Sequence, residues 1–473
     1  MAKILISPLG VGPASFEDKK ERRYRVAKYK FENSKEEYET PFVSAALVEH
    51  LDIDRMYLIG TSKSMWEEVY TYFSKEIDKK IDEDYWIDIA EKTSNANSEN
   101  KTIMDIDLKP INSVIDDFIS KNLDKKIEGS RCLIIDYGLN EKELWNIFEK
   151  FMHISDYLNK GDEIYLDITH SFRSLPLYMY LITDYMRLVK NNEINISGIY
   201  YGMIDVIKEK GHAPIINLKP LFELSEWIRG TYDFLNYGNG YIFSNLLKNQ
   251  KLGNTVNKIT ELINLNYLVD LKKQFKKLNE ILKDENDSSK IFSYVKPELR
   301  QFLNRFHDKK KDSEFQFEFA KWFFENKRYA NSLISLNEAV LTRLCELYGR
   351  ETRDRTSRGI FKAFLKDKKY YSHLPEIKNL HDIYTKLNKK RAKVAHASLN
   401  EDHSINENNK INSEWKKILS KNFKKEDVYF LNDIDDLKNY IQELNSYINK
   451  NKFNNFKNTV SFKKLQKKFQ KKK

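Results

Sequence analysis

A run of polar and cationic side chains follows a short apolar segment that ends at residue 166. Ile164-Tyr165-Leu166 leads into Asp167-Ile168-Thr169-His170-Ser171-Phe172-Arg173. Hydroxyl, imidazole and guanidinium groups just before a helix suit an anion, because the helix N-terminus adds backbone N–H groups without intrahelical partners. A purely local interpretation stays open, in which Thr169 or Ser171 caps the helix and Arg173 pairs with a surface carboxylate.

Three other apolar runs end in small or polar loops of the same kind. They are followed, in chain order, by Pro8-Leu9-Gly10, by Gly60-Thr61-Ser62-Lys63 and by Gly138-Leu139-Asn140. Since ligands of α/β sheets bind at the carboxyl ends of the strands, we expect these loops to converge on one edge. Such convergence favours a ligand site over four unrelated turns.

A second chemical candidate lies in the C-terminal half of the chain. Residues 376–398 carry apolar side chains at steps of three and four, which predicts one helix face. Arg391 stands on that face where an apolar side chain is expected, and His396 follows five residues later. The predicted face comprises Ile377, Leu380, Tyr384, Leu387, Arg391, Val394 and Ser398.

Arg391 and His396 supply two groups that suit metal-free chemistry at a phosphate. Histidine exchanges a proton near neutral pH, and arginine stabilises the charge of a phosphorane. At about 100° per residue, the two side chains point about 140° apart on an ideal helix. A site assembled from two helices across a dimer seam resolves that separation. A capping or packing role for His396 stays open.

The elements that must position these residues differ between the two halves of the chain. Twelve of the 15 glycines precede residue 241, and seven of the nine prolines precede residue 221. Apolar runs alternate there with helical segments such as Glu141–Met152 and Leu175–Val189, which predicts a Rossmann-like, doubly wound, mostly parallel α/β sheet. The remainder is nearly free of helix breakers and predicts an all-α domain.

The predicted organisation is therefore an α/β domain over residues 1–220 and a helical domain over residues 221–473, with a Lys-rich basic tail at 463–473. The predicted strands are Ile4–Ile6, Met56–Ile59, Leu133–Ile135, Ile164–Leu166 and Ile194–Tyr201. The predicted C-terminal helices are Phe319–Tyr348, Glu376–Ser398 and one that begins near Asp433.

Three motifs together resemble the CARF domain of CRISPR-associated proteins, in the subgroup with an Asp-x-Thr-His signature. They are Ser7-Pro8-Leu9-Gly10, then Leu58–Ser62 with Met65-Trp66-Glu67, then Asp167–His170 with Phe172–Pro176. Their order and spacing match over residues 1–205, although Ser171 stands where a glycine usually follows Thr-His. The resemblance implies a homodimer whose paired loops bind a cyclic oligoadenylate, cyclic tetra-adenylate in preference to cyclic hexa-adenylate. The expected ligand-binding residues are Pro8, Leu9, Gly10, Thr61, Ser62, Lys63, Gly138, Asn140, Thr169, His170, Ser171, Phe172 and Arg173.

The spacing of Arg391 and His396 resembles the RxxxxH motif of HEPN ribonucleases, which often follow a CARF domain in one chain. Ala392 departs from the family, where the residue after the arginine is often polar. The resemblance implies an endoribonuclease of type III CRISPR defence that cleaves single-stranded RNA without a metal and leaves a 2′,3′-cyclic phosphate. Arg391 and His396 are its expected catalytic residues, and ligand binding to the CARF domains is its expected activator.

Composition narrows the remaining classes of protein. The 473 residues are 41% hydrophobic, which excludes disorder throughout, and two cysteines exclude a disulfide scaffold. No run of 18 apolar residues exists, so we expect a cytoplasmic protein without a membrane partner. Scattered histidines and unpaired cysteines predict no metal site, and Ser15 stands where a dinucleotide fingerprint needs glycine. The net charge of +11 resides mostly in the tail, which we expect to be disordered.

Three alternatives remain open on the sequence. The chain can be a ligand-responsive regulator that binds DNA or protein without nuclease activity; no helix-turn-helix is evident, although Arg350–Arg358 holds four arginines near Gly349 and Gly359. It can be a toxin-like HEPN protein that needs no ligand. The N-terminal site can also cleave its own ligand, with Thr61, Ser62 and His170 positioning the 2′-hydroxyl.

Overall fold

The computed structural model describes residues 1–11, 24–170, 174–189, 194–284, 289–367, 375–395, 425–450, 452 and 460–470. The chain forms two compact units, Met1–Glu223 and Leu224–Lys473. In the described parts of the chain, no helix is long and apolar enough to cross a membrane.

The first unit is built on one eight-stranded sheet. Its strands are β1 Lys3–Leu9, β2 Ala27–Phe31, β3 Glu37–Thr40, β4 Arg55–Gly60, β5 Arg131–Ile134, β6 Glu163–Asp167, β7 Asn195–Gly202 and β8 Ala213–Asn217. The spatial order is β3-β2-β8-β7-β6-β1-β4-β5. Every neighbouring pair is parallel except β2–β3 and β7–β8. The mostly parallel sheet confirms the predicted α/β class.

Helices cover both faces of the sheet. They are α1 Val43–Leu51, α2 Trp66–Glu76, α3 Glu83–Asn95, α4 Lys109–Leu123, α5 Glu141–Ile154, α6 Leu175–Val189 and the short α7 Ile207–Lys210, and α8 Lys219–Tyr237 leads out of the unit. Leu5 packs into one hydrophobic core, while Ile4 and Ile6 pack into a second core. Because successive strand side chains point to opposite faces, a strand covered on both sides needs a continuous apolar run.

The five predicted strands are β1, β4, β5, β6 and β7, which lie side by side in the sheet. The sequence prediction missed β2, β3 and β8, which extend the sheet beyond β7. β2 alternates buried and exposed residues, and β8 contains Pro214, so neither has the apolar run of a central strand. Their strand conformation depends on pairing with each other and with β7.

The second unit is helical, which confirms the predicted class of the C-terminal half. Its helices after α8 are α9 Tyr241–Leu246, α10 Gln250–Asn264, α11 Leu268–Asp284, α12 Lys290–His307, α13 Asp312–Glu325, α14 Tyr329–Leu347, α15 Arg355–Lys366, α16 Pro375–Ala395, α17 Lys425–Ile448 and α18 Phe462–Phe469. Two hydrophobic cores occupy it, one drawn from residues 227–323 and the other from residues 317–465. Helix α13 contributes to both, with Phe319 in the first core and Phe317 in the second.

Two sequence expectations for this unit are wrong. The segment Phe319–Tyr348 is not one helix: it breaks between α13 and α14, where Lys327 has a φ of 61° and Arg328 N–H donates to the Phe323 carbonyl. The basic tail is not disordered over its described part, because α18 folds against the core with Leu465 fully buried. Alternating lysines and apolar residues there form one buried stripe and one solvated face.

Candidate functional site

The loops after β1 and β4 are joined by a hydroxyl that the sequence motifs did not single out. Ser64 Oγ donates to the Leu9 carbonyl (2.7 Å) and accepts from Thr61 N–H (2.9 Å). Met65 N–H donates to the Gly10 carbonyl (3.3 Å). These hydrogen bonds hold the Pro8-Leu9-Gly10 loop against the Thr61 loop, and Pro8 and Leu9 are both buried.

The loop after β4 is closed tightly around Gly60. A Cβ atom there would lie 2.7 Å from Ser64 Oγ and 2.8 Å from the Trp66 ring, so only glycine fits. Thr61 and Ser62 are each 1% exposed, whereas Lys63 is exposed to solvent. Among the three predicted ligand residues of this loop, Lys63 is therefore the one that faces solvent.

Asp167, at the end of β6, fixes the Thr169-His170 turn. Its Oδ2 atom accepts from Ser7 Oγ (2.7 Å) and its Oδ1 atom accepts from Thr169 N–H (2.9 Å). The Thr169 hydroxyl in turn accepts from Gly202 N–H at the end of β7 (2.9 Å). Asp167 is fully buried, so its carboxylate ties β1 and β6 together beneath the turn. Thr169 thus has a structural role in this conformation, in addition to the ligand role predicted for it.

His170 lies over the Gly10 loop with a buried nitrogen. A Cβ atom on Gly10 would be 3.7 Å from the His170 carbonyl oxygen, and the Tyr24 and His170 rings are 5.5 Å apart. Tyr24 Oη donates to the Gly10 carbonyl (2.6 Å). Burial lowers the pKa of His170, although the nearby Asp167 charge raises it. His170 Nε2 is buried and has no hydrogen-bond partner, although its near neighbours 171–173 lie outside the described residues.

The loop after β5 runs beside that of β4, where Ile135 N–H donates to the Gly60 carbonyl (2.8 Å). Asn140 caps α5: its Oδ1 atom accepts from Glu143 N–H (3.0 Å), and Glu143 accepts in return from Gly138 N–H (3.0 Å). Gly138 has a φ of +79°, a conformation that favours glycine. The described contacts of Gly138 and Asn140 are those of a helix cap.

A buried carboxylate near the same edge was missed by the sequence reasoning. Asp136 lies two residues after the end of β5 and is 6% exposed, with Lys101 forming an ion pair and Asn146 Nδ2 donating to it (2.8 Å). Burial raises its pKa, but the hydrogen bonds from Lys101 and Asn146 outweigh burial and hold it below the usual range. An acidic residue just after the predicted strand Leu133–Ile135 is the sequence signal that could have identified this carboxylate.

The remaining predicted ligand residues, Ser171, Phe172 and Arg173, lie outside the described residues.

In the second unit, Arg391 lies on the last part of α16 and His396 lies outside the described residues. The predicted apolar face of α16 is buried at Leu380, Tyr384 and Leu387, but Val394 is 40% exposed, contrary to expectation. The expected face position Ser398 is not described. Arg391 thus stands where the buried face of α16 gives way to solvent.

The surroundings of Arg391 are polar and incompletely hydrogen-bonded. Arg391 Nε, Asn388 Oδ1 and Thr385 Oγ1 are buried and have no hydrogen-bond partner among the described residues. These side chains follow Tyr384 at helical spacing, so they lie along one side of α16. A buried polar atom without a partner costs about 1–3 kcal/mol, so a hydrogen-bonding group placed against this face of α16 would be stabilised.

A second arginine reaches the same region from α15. Arg358 pairs with Glu338 of α14 and donates to Thr342 Oγ1 (3.1 Å). Burial raises the pKa of Tyr384, and the Glu338 charge raises it further, while Arg391 and Arg358 act in the opposite direction. The Tyr384 hydroxyl therefore lies within electrostatic reach of all three charges. No group of three or more His, Cys, Asp or Glu side chains that could hold a metal ion occurs in the described parts of the chain.

Comparisons with known proteins identify relatives of both units. Residues 4–205 match the family model of the CARF domain of CRISPR system endoribonuclease Csx1, and residues 223–312 match that of the second domain of CRISPR-associated protein MJ1674. CRISPR-associated protein MJ1674 of Methanocaldococcus jannaschii is 42% identical over 404 residues, which are 84% of this chain and 63% of that protein. The match therefore covers 63% of the length of that relative, which is less than two thirds.

Among solved structures, Enterococcus italicus Csm6 bound to cyclic hexa-2′-fluoro-hexa-dAMP covers 99% of this chain and 97% of its own, at 14% identity and a TM-score of 0.35. That TM-score is too low for a shared arrangement of the whole chains, so its ligand is a fact about Csm6 alone. The sequence matches are the informative findings. The chain is a homologue of CRISPR-associated protein MJ1674 whose residues 4–205 form a CARF domain, which confirms the resemblance that the strand-end motifs indicated.

Proposed function

We propose that the protein is an endoribonuclease of type III CRISPR defence that is activated by a cyclic oligoadenylate and cleaves single-stranded RNA without a metal. The observation that carries the proposal is Arg391, whose Nε atom is buried and unpartnered in the described part of the chain, five residues before His396. The CARF domain at residues 4–205 supplies the sensing half of the proposal.

The reaction is an attack of the ribose 2′-oxygen on the neighbouring phosphorus. The P–O5′ bond breaks, and the products are a 2′,3′-cyclic phosphate and a 5′-hydroxyl. His396 takes up the 2′-hydroxyl proton or returns a proton to the leaving oxygen, which suits an imidazole near neutral pH. Arg391 stabilises the extra negative charge of the phosphorane with its forked N–H donors.

The activator binds at the carboxyl edge of the sheet in this proposal. Lys63 is exposed there, and His170 Nε2 is a buried nitrogen without a described partner, so a phosphate can interact with both a cation and an imidazole. The predicted ligand set of Gly10, Thr61, His170 and their neighbours stays a proposal. Cyclic tetra-adenylate remains the expected ring size, ahead of cyclic hexa-adenylate.

A homodimer is supported by an exposed apolar stripe on α6. Its large side chains recur at steps of three and four, so they share one helix face. They are Leu177, Leu181, Tyr185 and Leu188, which are 61%, 54%, 41% and 51% exposed. Contiguous exposed apolar surface of this kind marks interaction sites, and a second copy presents the same stripe to bury it.

The alternative of a DNA-binding regulator draws little support from the basic cluster near residue 350. Arg353 pairs with Asp270 (2.8 Å), Arg358 pairs with Glu338, and the Arg350 guanidinium lies 4.0 Å from the centre of the Phe462 ring. Three of the four arginines therefore make contacts within their own unit.

The test measures cleavage of a labelled single-stranded RNA in the presence of EDTA, with no activator, cyclic tetra-adenylate or cyclic hexa-adenylate. We expect cleavage only with activator, and a loss of about a hundredfold or more in Arg391→Ala and His396→Ala. Lys389→Ala, an exposed neighbour on the same helix, is the matched control. Undiminished cleavage by the Arg391 and His396 variants would refute the catalytic assignment. Duplex DNA binding without RNA cleavage would favour the regulator, and equal cleavage without activator would favour the toxin-like protein.

A further inference from the structure

A polar cleft of about 340 Å³ lies in the second unit, where the turn between α10 and α11 faces α13 and α14. This volume is at the lower end of the range of small-molecule sites, roughly 300–1,000 Å³. The lining residues that matter here are Tyr267, Asp270, Gln316, Ser335, Glu338 and Arg353. One aromatic ring and several hydrogen-bond acceptors thus share a space large enough for one nucleobase.

Gln316 points to a ligand that donates hydrogen bonds. This side chain is only 7% exposed, it lines the cleft, and its Oε1 atom is buried without a hydrogen-bond partner in the described residues. Leaving such an amide oxygen unpaired is unfavourable, so the site gains when an N–H group enters. The Glu338 carboxylate, on the neighbouring helix α14, provides a second acceptor at the same cleft.

The walls of the cleft are held in place before anything binds. Ser335 Oγ lies 3.0 Å from Asn266 Oδ1 and fixes the turn before α11, where Asn266 adopts a φ of 58°. Arg353 donates to Asp270 (2.8 Å), and this hydrogen bond lowers the pKa of the Asp270 carboxyl. Tyr267 remains 58% exposed at the rim, so its ring is available for stacking.

The geometry points to a guanine-binding subsite for the RNA substrate, in which Tyr267 stacks on the base while Gln316 Oε1 and Glu338 accept from its Watson–Crick edge. Single-stranded RNA is recognised in this way, through aromatic stacking and hydrogen bonds to base edges. Guanine presents two adjacent donors on that edge, N1–H and N2–H₂, whereas uracil presents one N–H and adenine and cytosine present one amino group. The inference rests on the proposed function, because RNA is the substrate assumed.

The subsite is coupled to the proposed reaction centre through Glu338. This residue lines the cleft, pairs with Arg358 and acts on the Tyr384 hydroxyl, which also feels the charge of Arg391. We expect a base held in the cleft to set which nucleotide reaches Arg391. Base preference at one position beside the cut is the expected consequence.

The first test measures binding without cleavage. The full chain is titrated with 3′-GMP, 3′-AMP, 3′-CMP and 3′-UMP by isothermal titration calorimetry. We expect 3′-GMP to bind at least about tenfold more tightly than the others, and Tyr267→Ala to weaken it about tenfold, as stacking on an aromatic ring predicts. Tyr294→Ala, which removes an 81% exposed ring outside the cleft, leaves binding unchanged. Equal binding of all four nucleotides, or no effect of Tyr267→Ala, overturns the subsite.

The second test sequences the cut sites in a random single-stranded RNA digested with activator. Guanine enrichment at one position beside the cut supports the subsite if it falls in Tyr267→Ala and in Gln316→Met relative to the other bases at that position. Selective, Tyr267-dependent binding of 3′-GMP with no RNA cleavage contradicts the proposed function and leaves the base-binding site standing. Cleavage without base preference and without selective binding contradicts the subsite and leaves the ribonuclease standing.

Discussion

The hydrogen bond between Ser7 and Asp167 makes the most direct prediction for the CARF domain. Ser7→Ala removes the donor to Asp167 Oδ2, at 2.7 Å, from a pair of side chains that are 2% and 0% exposed. Hydrogen bonds to charged groups contribute about 1.5–3 kcal/mol, and loss of the donor leaves a buried carboxylate oxygen with one hydrogen bond fewer. At about 1.4 kcal/mol per factor of ten, opening of the β1–β6 region becomes roughly ten- to a hundredfold more frequent.

Native-state hydrogen exchange with peptide resolution measures this opening in the full chain. We expect the loss of protection in peptides that cover β1 and β6, and little change in those of the second unit. Because Asp167 also holds Thr169 N–H (2.9 Å), the activator is expected to bind more weakly to the variant as well.

The matched control is Ser197→Ala, which removes the hydrogen bond from Ser197 Oγ to Glu163 Oε2 (3.1 Å) at a partly buried position of the neighbouring strand. Its effect on protection should stay near or below about 1 kcal/mol, because Ser197 and Glu163 are only partly buried and water can replace the lost donor. A Ser7→Ala variant whose protection and activator affinity match those of the control would refute the role given to Asp167.

Three further predictions concern assembly, pH and the C-terminal helix. If the proposed homodimer forms through the exposed stripe of α6, Leu181→Lys should give monomers in sedimentation equilibrium, whereas Ile87→Lys, at a 48% exposed position on α3, should leave the dimer intact; a Leu181→Lys protein that stays dimeric contradicts the stripe as the interface. Burial lowers the pKa of His170 in the free protein, and a bound phosphate favours the protonated ring, so activator affinity should rise as pH falls from 8 to 6, by at most about tenfold per unit. His170→Gln should remove this pH dependence and exposed His153→Gln should keep it; an affinity independent of pH in the native protein argues against contact between His170 and phosphate. Leu465→Ala empties a fully buried position and should lower the free energy of unfolding by about 2–5 kcal/mol in urea titrations, and a loss below about 0.5 kcal/mol would contradict the packed α18.

Much of the CARF domain could be predicted from the sequence, because the patterns that identify its central strands are local. A central strand of a parallel sheet is buried on both faces, so its apolar run is visible without knowledge of its neighbours. The same holds for α5 and α6, whose boundaries agree with their apolar periodicity to within two residues. The three strand-end motifs together also indicated the CARF domain that residues 4–205 match.

The sequence by itself therefore determined the class of both units, the central strands and the residue types at the strand ends. Only the tertiary structure decided that Thr169 accepts from Gly202, that Ser64 joins two loops, and that Gln316 faces a cleft with Tyr267. It also decided that β2, β3 and β8 extend the sheet beyond β7 and that α18 packs against the core. Periodicity encodes which face of an element is buried, whereas hydrogen bonds between distant residues depend on which segments pair, and no local pattern records that choice.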